Sequence, residues 1–70
     1  MIDENIIERV AKNVGCEKQA LLAKHEAVLA ANEANFKAMG LEQNDIEMKA
    51  LRMAAAELRV VASRLARSGC

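Results

Sequence analysis

The sequence predicts an all-α fold: a short N-terminal helix, then a long antiparallel helical hairpin, assembled with further copies as a homo-oligomeric bundle. Two helical stripes flank Met39-Gly40-Leu41. Leu22, His25, Leu29, Asn32, Phe36 and Met39 precede the turn at spacings of three and four. Met48, Leu51, Ala55, Leu58, Ala62 and Leu65 follow it in the same rhythm. Such stripes joined by a glycine turn make a hairpin of amphipathic helices. Composition agrees, since fourteen alanines, no proline and frequent Glu, Lys, Arg and Leu favour helix along most of the chain. β-Branched residues are few and show no period-two alternation, which argues against a sheet.

Seventy residues make one domain, spanning 1–70. A chain this short buries only about 60% of its unfolded surface. One core of this size rarely contributes more than roughly 3–5 kcal/mol. Small proteins compensate with disulfides, a metal or a second copy. Cys16 and Cys70 are too few for a disulfide framework, and no Cys/His spacing suits zinc. Self-association is the remaining stabiliser, so a homo-oligomer is expected.

A first helix is expected over residues 3–14. Asp3 is its N-cap, Glu4 and Glu8 complement the dipole, and Gly15 ends it. Its apolar face holds Ile2, Ile6, Ile7, Val10 and Val14. The helical phase also continues through Lys18, Leu21 and His25, so one bent helix over 3–39 is the alternative. A helix of that length would need partner chains along it, which favours the break. The second helix, 17–39, ends where Gly40 takes the C′ position and Phe36 and Leu41 the contacting positions of a Schellman motif. The third, 44–67, starts at Asn44, with Glu47 completing a capping-box signal, and stops before Gly69.

Several function classes are disfavoured. Formal net charge is zero, whereas a protein held on nucleic-acid backbone needs basic excess. With Phe36 as the one aromatic, there is no base-stacking platform. The opening Met1-Ile2-Asp3-Glu4 is unlike a signal peptide, and no apolar run reaches membrane-span length. A cytoplasmic protein with reduced thiols is the expectation. Cys16 then reads as an inert residue at the helix break and Cys70 as an accessible thiol on a frayed end.

His25 and Asn32 are polar where the stripe would otherwise be apolar. Such residues set register between copies at a cost in stability. The plainer alternatives are a histidine satisfied at the seam's edge and an asparagine turned to water. Arg52, Arg59, Arg64 and Arg67 make the end of the third helix basic, either as a solvated face or as an anion site. Met39, Met48 and Met53 gather near the turn with Phe36 and Leu41, as an end plug or an adaptable docking patch. No acid, base and nucleophile converge, so neither catalysis nor a cofactor or metal is expected.

The leading functional expectation is a non-enzymatic module holding another protein, as a small chaperone, adaptor or inhibitor. Phe36, Met39, Leu41, Met48 and Met53, with Ile6, Ile7 and Val10, are its candidate contacts. The alternative is an oligomeric binder of an anionic small molecule or nucleotide through the arginines, with nucleic acid as a weaker third. In outline alone, with no shared motif, the arrangement is similar to small type III secretion co-chaperones and phage-encoded inhibitors.

Overall fold

The computed structural model describes residues 4–70 as three helices: α1 (Glu4–Val14), α2 (Lys18–Ala38) and α3 (Gln43–Arg67). The Asp3 cap and Ile2 lie outside the described residues. α2 and α3 form the hairpin, and α1 packs against both.

All three helices stop in the same way. Gly15, Gly40 and Gly69 adopt φ values of 77°, 83° and 77°, a left-handed conformation that glycine takes without penalty. In each case the residue beyond the glycine donates its N–H five residues back: Cys16 to the Ala11 carbonyl, Leu41 to Phe36 and Cys70 to Leu65. The glycine N–H bonds three back, to Lys12, Lys37 and Ala66. These are Schellman pairs, which satisfy carbonyls that a helix end leaves open. The break at Gly15 is therefore a built terminus, and the continuous 3–39 helix does not form.

Helix starts are less well made. α3 begins at Gln43, not at Asn44, with extended Glu42 as N-cap and no side-chain cap. Asn44 lies inside the first turn, and Gln43 Nε2 instead donates to Glu47 Oε1 at 3.1 Å. The expected capping box is thus replaced by a side-chain pair one turn apart. α2 likewise follows an extended Glu17 without a side-chain cap.

The buried core is small and lies away from the turn. Ile7 and Ala11 of α1 meet Leu21 of α2 and Leu58 and Ala62 of α3, with Val10, Val14, Leu22, Val61 and Leu65 packed around them. Along the hairpin the buried row of α3 is Ile46, Ala50, Ala54, Leu58 and Ala62. This corrects the expected inner stripe, in which Met48 and Ala55 prove exposed and Leu51 half-buried. Both rows are geometrically real. A row of residues four apart advances about 40° per step around a helix of 3.6 residues per turn. It therefore winds around α3 from Ile46, and the two rows merge at Leu58 and Ala62, which pack with α1 and α2.

The largest departure from expectation is covalent. Cys16 and Cys70 form a disulfide, with Cα atoms 5.6 Å apart. Cys16 directly precedes the uncapped start of α2, so the bridge ties that start and the end of α1 to the end of α3. Two cysteines cannot make a framework, but one bridge across 54 residues is a substantial staple. It removes the premise from which self-association was argued, and the reduced thiols that supported a cytoplasmic setting. No helix among the described residues is long and apolar enough to cross a membrane.

On the chain-entropy account, a loop of this length stabilises the fold by about 4 kcal/mol. Reduction, or Cys70→Ser, should lower the denaturant midpoint by a corresponding amount. A midpoint that ignores reductant would show that the bridge does not constrain the unfolded chain.

Candidate functional site

α1 is too short for the hairpin it covers. Its 11 residues span about 16 Å, against about 37 Å for the 25 of α3. Its contacts, Leu58 and Ala62, belong to the same α3 face as Met48, Leu51 and Ala55. Beyond α1 that face continues uncovered towards the turn. There Leu29 and Glu33 of α2 and Asn44, Glu47, Met48 and Leu51 of α3 line an open groove of about 630 Å³. Its floor is Leu29, Leu51 and Met48, the last 54% exposed. Its polar rim carries two carboxylates, Glu33 and Glu47, facing one amide, Asn44.

The seam along the hairpin is unusual. His25 is 2% and Asn32 9% exposed, yet both His25 ring nitrogens and Asn32 Nδ2 lack hydrogen-bond partners. Asn32 lies in the turn half of α2, whereas His25 is one turn from Leu21 of the core cluster. The buried residues of α3 along the hairpin include the small Ala50 and Ala54, which let two helices approach closely. A buried polar group without a partner costs about 1–3 kcal/mol. The core cluster lies at the disulfide end, and the turn half, with Asn32 and small alanines in its seam, is held less well. His25 and Asn32, expected to set register between copies, are buried within the single chain. Burial pushes the His25 pKa below its ordinary 6.5, and the adjacent Glu26 carboxylate acts the other way.

The other candidate contacts are scattered. Met39 is 70% exposed and Met53 is also exposed, but neither lines the groove with Met48. Phe36 and Leu41 are half-buried at the Schellman turn. Ile6 and Val10 border a second depression between α1 and α3, which Arg9, Asn13, Arg59 and Ser63 also line. Ile7 is fully buried, so its expected partner role gives way to a core role. Arg59, Arg64 and Arg67 border one depression, whereas Arg52 stands apart from it. Leu29, Glu33, Asn44, Glu47 and Leu51 are groove residues outside the expected contacts, and of these Leu29 and Leu51, on the two apolar stripes, carried a signal. Among the described residues no His, Cys, Asp and Glu cluster could hold a metal. No protein-family model, curated protein or solved structure matches the chain.

Two predictions follow from the orphaned groups. The unfolded chain, with an ordinary imidazole, takes up its proton at higher pH than the folded one, so acid favours unfolding. The stability linked to His25 is complete above about pH 6.5 and declines as pH falls below it. Between pH 7.5 and 5.5 the wild-type denaturant midpoint should drop, while that of His25→Leu should stay level; parallel curves would refute the assignment. Asn32→Leu should raise stability by on the order of 1–2 kcal/mol, since it removes an unpaired amide. A lower midpoint would mean that Asn32 has a partner after all.

Proposed function

We propose that this protein is a non-enzymatic interaction module that receives a basic amphipathic helix of a partner protein in the open half of its hairpin groove. The observation that carries this reading is the mismatch between α1 and the hairpin. One apolar face runs along α3, α1 occupies its far half as an amphipathic helix, and the half near the turn has no occupant of its own chain. The site therefore has the form of helix-in-groove recognition, already satisfied once within the chain.

Charge selects the kind of helix. Between Glu26 and Lys49 five acids face two lysines, and Glu33 and Glu47 stand on the groove itself. A helix with an apolar stripe and flanking Lys or Arg would fill the floor and pair with the rim. Met48, flexible and exposed, can adapt to the side chains it receives. A chaperone, adaptor or inhibitor would each use such a groove. Assembly with further copies was expected from the lack of a staple, and the bridge supplies one.

Synthetic amphipathic helical peptides with identical leucine faces and either lysine or glutamate flanks test this directly. Fluorescence anisotropy should show the lysine form binding about tenfold more tightly, with Met48→Lys abolishing the difference. Equal binding of the two peptides would refute the charge assignment. Self-association of the protein, lost on Met48→Lys in sedimentation velocity, would give the groove to a second copy and overturn the proposal.

A further inference from the structure

At the opposite end, the last turns of α3 carry positive charge that the fold does not use. The two ion pairs among the described residues are both made by lysines, Lys12 with Glu8 and Lys18 with Glu4. None of the five arginines has a carboxylate within pairing distance there. Three of them, Arg59, Arg64 and Arg67, line a single depression with Ser63 and Val60. Arg59 and Ser63 are shared with the neighbouring depression, to which α1 adds Arg9 and Asn13. No acidic side chain lines either depression.

Compensation of the helix dipole does not account for this. A helix C-terminus carries about half a negative charge and its effect fades within the last turn. Arg64 and Arg67 exceed that charge on their own, and Arg59 lies two turns from the end. The backbone beneath them is also held in place. Ser68 Oγ donates to the Arg64 carbonyl at 3.0 Å, and the Cys70 bridge anchors the terminus to the α1–α2 junction. Guanidinium forks on a fixed helix end, with a hydroxyl donor among them, match an oxyanion with several acceptor oxygens. No aromatic side chain lines the depression, so nothing there would hold a nucleobase.

We infer that Arg59, Ser63, Arg64 and Arg67 form a binding site for a small, multiply charged oxyanion of the phosphate class. The site is separate from the groove near the turn and stands or falls independently of it. Pyrophosphate is the probe, titrated into the oxidised protein at constant ionic strength and followed by backbone amide NMR shifts. Saturable shifts should centre on Arg59, Ser63, Arg64 and Arg67. Arg64→Gln should weaken binding about tenfold, while Arg52→Gln, outside the depression, should leave it unchanged. Shifts reproduced by sodium chloride at the same ionic strength, or equal weakening by the two variants, would overturn the inference.

Discussion

Everything else in this structure depends on a three-way contact. Ile7 and Ala11 of α1 sit where Leu21 of α2 meets Leu58 and Ala62 of α3. Ile7 and Leu21 are the largest fully buried side chains among the described residues. The remaining buried residues of the hairpin are Ile46, the small Ala50 and Ala54, and the polar His25 and Asn32. Alanines bring helices close but remove little apolar surface from water, so burial is strong at one end and weak along the rest. The Cys16–Cys70 bridge closes the end that is already strong. Cross-link and core therefore act together, and the half towards the turn is left to the hairpin's own contacts.

That imbalance links stability to function. A hairpin fully covered by a longer α1 would gain core and lose its groove. The short α1 leaves Leu29, Met48 and Leu51 uncovered beside a seam in which the buried Asn32 Nδ2 has no partner. Departures of this kind from good packing tend to gather where a protein meets something else. Charge follows the same axis. Acids predominate around the turn, while Arg59, Arg64 and Arg67 against Glu57 occupy the end of α3. A zero net charge conceals two ends of opposite sign, each with its own depression.

How much of this could be read from the sequence depended on how local the cause was. The turn at Gly40 was readable because Phe36, Gly40 and Leu41 carry its whole chemistry within six residues. The helix break at Gly15 was readable for the same reason. The buried row of α3 was missed because hydrophobic periodicity favours Met48 and Leu51 over Ala50 and Ala54. A spacing of exclusively four, with small residues, was the available signal. The disulfide joins residues 54 apart, and their proximity depends on α1 folding back over the hairpin, which no local pattern reports. The groove is a difference in length between two elements, and becomes visible only when they are placed side by side.

The central claim is that one half of the hairpin is firmly held and the other is not. Residue-by-residue hydrogen exchange of the oxidised protein at neutral pH measures this most directly. Amides around Leu21 and between Leu58 and Ala62 should exchange slowest, through global unfolding. Those around Asn32 and Ala50 should exchange faster, through local opening at the turn half. Uniform protection along α2 and α3 would contradict the account, since it would make the uncovered half as stable as the half that α1 and the bridge secure.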